Sequence, residues 1–197
     1  MLAFAAAVFF LIVTPGPGVL TTAGVGSGYG WGAGLCYLVG LFVGTNLVAL
    51  AVVTGLWAAV AAAPGLREAL FGASLLYLLY LGGKIAFAGS RVAFIEARKA
   101  PGAAGGLLLQ VINPKAYAVN TTLFTGFAFL PSALGLELAL KFVIMNAIWV
   151  PIHLAWLWAG VALHRLNLRP AVQSLVNKLM AASMLAVVGI AAWSQLA

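Results

Sequence analysis

Apolar residues run along this chain with few interruptions, and prolines, glycine clusters and isolated charges supply the punctuation. Cutting at those points leaves six apolar segments, about 3 to 23, 34 to 61, 66 to 89, 106 to 130, 134 to 162 and 171 to 195. Each comes close to the ~20 residues, roughly 30 Å of helix, that cross the hydrocarbon of a bilayer. The pattern predicts an all-α integral membrane protein with six transmembrane helices, joined by short connections and forming a single transmembrane domain over 1–197.

Composition agrees. Of the 197 residues 64% are hydrophobic and 7% charged, where a soluble domain carries about 45–50% and about 25%. No charge falls between Met1 and Leu66, so a water-soluble fold would have little to cover its surface. The apolar N-terminus lacks the basic n-region of a signal peptide and reads as the first span. The ten Lys and Arg residues give a net charge of +7; scattered between membrane segments, they read as lipid-facing loop anchors rather than nucleic-acid contacts. Cys36 is the one cysteine, which excludes an intramolecular disulfide, a four-cysteine metal site and a thiol relay between spans. There is no aspartate, and Glu68, Glu96 and Glu137 fall at or near predicted connections. Carboxylate dyads and aspartate-completed triads therefore lack raw material, so no enzymatic activity, metal or cofactor is expected.

The longest connection, about Ser90 to Gly105, carries Arg91, Glu96, Arg98 and Lys99 and divides the chain nearly in half. Repeat one then covers about 1–99 and repeat two about 100–197. Connections one, three and five hold Arg91, Arg98, Lys99, Arg165 and Arg169, against Arg67 and Lys141 in connections two and four. This bias favours odd connections in the cytoplasm and both termini outside. The first connection, Gly24 to Gly34, has a glycine at every second position; its low helix propensity predicts a flexible link, with Tyr29 and Trp31 at the headgroups.

The halves share their punctuation. Thr14-Pro15-Gly16-Pro17-Gly18 interrupts the first span and Asn113-Pro114-Lys115 the fourth. From Pro15 to Asn46 is 31 residues, and from Pro114 to Asn146 is 32. Three spans per half would insert a duplicated half the opposite way up, as two inverted three-helix repeats. The two prolines of the first motif remove backbone donors, and their span must kink or break. Broken helices survive in lipid only against protein or a water-filled cavity.

Lys115 lies too deep to ignore: it either snorkels to the cytoplasmic face or meets an anion. In the second case Lys115 and the amides of a broken helix would receive a substrate carboxylate, with Thr14, Asn113, Asn120, Thr121 and Thr122 adding neutral hydrogen-bonding groups. Gly40 and Gly44 form a small-xxx-small pair suited to close helix packing. Asn46 and Asn146 either bond across helices or touch substrate. His153, after Pro151, is either a hydrogen-bonded core histidine or a proton carrier. His164 and Lys84 read as surface or snorkelling groups.

Thr14-Pro15-Gly16-Pro17, Tyr77-Leu-Leu-Tyr-Leu-Gly82 and Asn113-Pro114-Lys115-Ala116, in this order and spacing, make the chain resemble the LysE/RhtB family of bacterial amino-acid exporters over essentially its whole length. The resemblance implies a six-span inner-membrane exporter of amino acids or close derivatives, usually driven by the proton gradient. Many members place an aspartate after the second-span glycine pair, where Thr45 stands here. The missing anion favours neutral substrates such as threonine, homoserine or a branched-chain amino acid. The expected mechanism is alternating access around a midplane site formed by Thr14, Pro15, Gly16, Pro17, Asn113, Pro114 and Lys115, with Thr45, Asn46 and Asn146 at the amino or side-chain end and His153 as proton-coupling candidate. A structural membrane protein without transport and an intramembrane redox carrier are the alternatives, the latter lacking its paired cysteines. Apolar faces toward lipid and toward a second copy look alike, which leaves room for a homo-oligomer.

Overall fold

The computed structural model describes residues 1–14, 16–55 and 100–165, with isolated positions 65, 69, 72, 76, 79, 171, 172, 174, 175, 178, 179 and 182. Pro15, the Tyr77–Gly82 run apart from Leu79, Lys84, the charged connection from Arg91 to Lys99, and most of the third and sixth predicted segments lie outside them. Among the described residues there are five helices: α1 (Leu2–Val13), α2 (Pro17–Val53), α3 (Gly102–Ile112), α4 (Pro114–Gly126) and α5 (Leu134–Arg165).

Helix α2 is a hairpin rather than a rod. Gly30 has φ 79° and ψ −173°, a conformation open to glycine and strained for any residue with a Cβ. The chain reverses there. Sixteen residues would separate Thr21 from Tyr37 by about 24 Å along a straight helix, yet the Tyr37 hydroxyl donates to Thr21 Oγ1 at 3.0 Å. Gly26 and Gly34 likewise flank one side chain, Leu157. The expected flexible link over 24–34 is thus corrected: helix continues to one side of Gly30 and resumes on the other, so a single residue makes the turn. Glycine's helix penalty is set against water; here Gly24, Gly26 and Gly34 are buried, the last two against Leu157 of α5, and backbone groups without water must bond within the helix.

The hairpin is the hub, packing on α3, α5 and α4, while α1 packs on α5 and α4. Its second arm meets α3 backbone to backbone: a Cβ on Gly40 would sit 1.8 Å from the Ala103 carbonyl oxygen, and one on Gly106 would sit 2.2 Å from that of Tyr37. Its first arm meets α5 the same way, with Gly160 under the Ala23 carbonyl. Along α5 every fourth residue from Glu137 through Lys141, Met145, Trp149 and His153 to Leu157 is buried, the spacing of an inward-facing ridge. Outside, Leu35, Val39, Val43, Leu47 and Leu50 give the second arm an exposed apolar face. Such a face, on long helices of this hydropathy, belongs in a membrane.

Lys141 is also placed differently from its expected position in a connection. It lies inside α5, 2% exposed, with Nζ 2.8 Å from Glu137 Oε1 and 3.1 Å from the Phe124 carbonyl. The other carboxylate oxygen accepts from the backbone N–H groups of Phe129 and Leu130. The rings of Phe4 and Phe129 stand 5.9 and 5.7 Å from the ammonium. One ion pair thereby fastens the α4–α5 connection and α1 to the start of α5.

Candidate functional site

Two helix breaks face each other. Thr14 ends α1, and Gly16 (φ −149°, ψ 179°) precedes α2 without a side-chain cap. Asn113 (φ −79°, ψ 109°) separates α3 from α4. Pro17 and Pro114 occupy the first helical turn after each break, where a missing N–H costs nothing and the ring pre-sets φ. Asn113 Oδ1 accepts from the Lys115 N–H at 3.1 Å and caps α4. The start of α2 receives no such side chain.

Lys115 joins the breaks: its Nζ donates to the Thr14 carbonyl at 2.6 Å. The ammonium meets the negative end of α1 close to the positive starts of α2 and α4. Gly16 makes room for it, because a Cβ there would lie 2.9 Å from Lys115 Cδ and 3.1 Å from Nζ. One of the three ammonium donors is thereby used.

A cavity of about 60 Å³ opens here. At ~10–15 Å³ per water on this scale, it has room for a few waters or the polar head of a small ligand. Thr14, Gly16, Pro17, Asn113 and Lys115 line it at the breaks; Thr45, Gln110, Asn120 and His153 add polar groups; Leu11, Ile12, Val19, Val119, Met145 and Trp149 form an apolar wall. Gln110 Nε2 donates to Thr45 Oγ1 at 2.6 Å, and Asn113 Nδ2 donates to Gln110 Oε1 at 3.3 Å. His153 stacks on Trp149, centroids 3.6 Å apart, and its Nδ1 lies 2.9 Å from the Trp149 carbonyl. A carbonyl only accepts, so Nδ1 carries the hydrogen and the neutral ring keeps its lone pair on Nε2. That Nε2 and Gln110 Oε1 are each 3.8 Å from where a Gly18 Cβ would be.

Of the site residues expected from sequence, the cavity gathers Thr14, Gly16, Pro17, Thr45, Asn113, Lys115 and His153. Asn46 and Asn146 stand apart from it, bonded to each other through both amides at 3.1 and 2.9 Å, a clasp between α2 and α5. Pro114 starts α4 behind the lining, and Pro15 lies outside the described residues. Gln110 and Trp149 were not expected. A lone amide three residues before Asn113, on one helical face with it, was a readable signal for Gln110.

The chain is 30% identical over 159 residues to the leucine efflux protein of Enterobacter sp. (strain 638), an alignment covering 70% of this chain and 72% of that protein. This chain belongs to the LysE/RhtB family of amino-acid exporters. No family model matches this exporter, and no solved structure matches it. For an amino-acid exporter, the gathered groups are chemically apt: a cation and an uncapped helix start for a carboxylate, uncharged acceptors for an amine, and an apolar wall for a side chain.

Proposed function

We propose that this protein exports neutral amino acids across the bacterial inner membrane by alternating access, holding the substrate carboxylate between Lys115 and the start of α2. The observation that carries the reading is the Lys115–Thr14 bond across the two helix breaks. A cation with spare donors thereby stands at the cavity lined by the two breaks. Discontinuous helices whose starts point at an anionic substrate group are a recurrent construction in secondary transporters. The family relative named for leucine efflux supports a branched aliphatic substrate, as do the aliphatic walls of the cavity and the absence of a carboxylate among its lining residues.

The six-span inverted repeat belongs to the same proposal. Half one runs helix, break, helix, turn, long helix; half two repeats that order with α3, α4 and α5. The stretch from Pro17 to the Gly30 turn matches the 13 residues of α4. With Lys141 neutralised inside α5, the basic excess on odd connections grows, favouring a cytoplasmic side there and external termini. His153 is the proposed proton carrier, its Nε2 lone pair near the cavity.

Counterflow in proteoliposomes tests this reading, with vesicles preloaded with individual amino acids and exchange of the labelled form followed. Saturable exchange of leucine and a few other neutral amino acids is expected. Exchange confined to lysine and arginine would overturn the neutral assignment, and silence across the panel with folded protein would overturn the transport reading.

A further inference from the structure

Among the described residues three buried side-chain polar atoms lack a hydrogen-bond partner: Ser27 Oγ, Thr121 Oγ1 and Asn120 Oδ1. Of these residues Asn120 alone lines the cavity. It is 2% exposed, and its Nδ2 donates to the Ala116 carbonyl at 2.8 Å. That bond fixes which way the amide faces, because exchanging its two ends would set oxygen against oxygen. What remains is an uncharged acceptor with unused lone pairs, on a cavity whose apolar lining includes Val119, Met145 and Trp149.

A buried acceptor left unpaired is unfavourable and rare, and one on a residue that lines a ligand cavity is a natural partner for a donor that the ligand brings. The partner must donate. A carboxylate is excluded, and an ammonium suits best, since hydrogen bonds with one charged member are the strong ones. Placement agrees with the site already described. Asn120 follows Lys115 by five residues on α4, and both residues line the same cavity. Of the other side-chain acceptors in the lining, Gln110 Oε1 already accepts from Asn113 and Thr45 Oγ1 from Gln110, while His153 Nε2 is the group assigned above to the proton.

We infer that Asn120 Oδ1 receives the α-ammonium group of the substrate, so that Lys115 and Asn120 together read the two ends of an amino-acid zwitterion and exclude acids that lack the amine. This rests on the reading of the cavity as an amino-acid site. The test compares leucine with isocaproate, its analogue without the amine, as inhibitors of labelled-leucine counterflow. The wild type is expected to favour leucine. In Asn120→Leu the half-inhibitory leucine concentration should rise about tenfold or more, the worth of one hydrogen bond to a charged group, with the isocaproate value unmoved, whereas Asn120→Asp should keep the preference. A merely structural role would weaken both ligands alike. An unchanged ratio of the two ligands in Asn120→Leu overturns the inference. Should that variant not fold, Asn120→Ser takes its place, with the same collapse of the ratio expected and an unchanged ratio again decisive. A wild type that exchanges no amino acid overturns the site reading itself, whereas exchange with an unmoved ratio overturns only the role of Asn120.

Discussion

Gly16→Ala separates the site from the fold. Gly16 has extended backbone angles, φ −149° and ψ 179°, which alanine adopts freely, so the substitution itself adds no backbone strain. The three atoms nearest to the added methyl all belong to the end of Lys115, with Cδ at 2.9 Å and Nζ at 3.1 Å. A flexible side chain yields by swinging away, and its movement lengthens or breaks the 2.6 Å bond to the Thr14 carbonyl. Hydrogen bonds to charged groups are worth about 1.5–3 kcal/mol. If the displaced ammonium serves the substrate equally poorly, apparent affinity falls about 10- to 100-fold at ~1.4 kcal/mol per decade. Counterflow at a series of leucine concentrations measures the half-saturation value, and a thermal melt in detergent measures the fold. The expected result is a large rise in half-saturation with a melting temperature within a few degrees of wild type. Unaltered half-saturation would refute the placement of Lys115 at the carboxylate, and a collapsed melt would refute the claim that the end of Lys115 can yield to the methyl.

Gly40→Ala should behave in the opposite way. Its Cβ would meet the Ala103 carbonyl oxygen at 1.8 Å, so α2 and α3 must part, an overpacking cost of about 1–3 kcal/mol or more visible as a lowered melting temperature. Lys141→Met leaves the Glu137 carboxylate buried and unpaired, and Glu137→Gln combined with Lys141→Met should melt higher than Lys141→Met alone; the same order reversed would show that the pair does not act as a unit. His153→Gln removes the titratable Nε2 while keeping a polar group beside Gln110. It should retain counterflow, which needs no net proton movement, and lose export driven by an imposed pH gradient; retained gradient-driven export would dismiss His153 as the proton carrier.

The helix breaks were legible because proline acts locally: it removes a donor and restricts its neighbour whatever surrounds it. Gly40 and Gly44 were legible for a similar reason, since small residues at a four-residue spacing have few uses in an apolar helix other than close approach. The stretch from Gly24 to Gly34 was misread because its ends are buried, Gly26 and Gly34 against Leu157 of α5, and such burial is not written in glycine's intrinsic propensity. Lys141 was misread because a lysine four residues after a glutamate looks the same in a loop, at a helix end or in a buried pair; only the carbonyl of Phe124 and the N–H groups of Phe129 and Leu130 make it an interior pair. The matched spacing of Asn46 and Asn146 from their prolines singled out two amides, and the structure bonds them to each other. Gln110 and Trp149 enter the cavity through tertiary packing, which no single segment of sequence encodes.

The most direct measurement compares leucine with leucinamide, which keeps the amine and side chain but has no carboxylate, as inhibitors of labelled-leucine counterflow by wild type and Lys115→Ala. If Lys115 holds the carboxylate, wild type prefers leucine strongly, and the variant, equally folded, loses that preference by weakening leucine alone. A preference that survives Lys115→Ala would place the carboxylate elsewhere and contradict a site built across the two helix breaks.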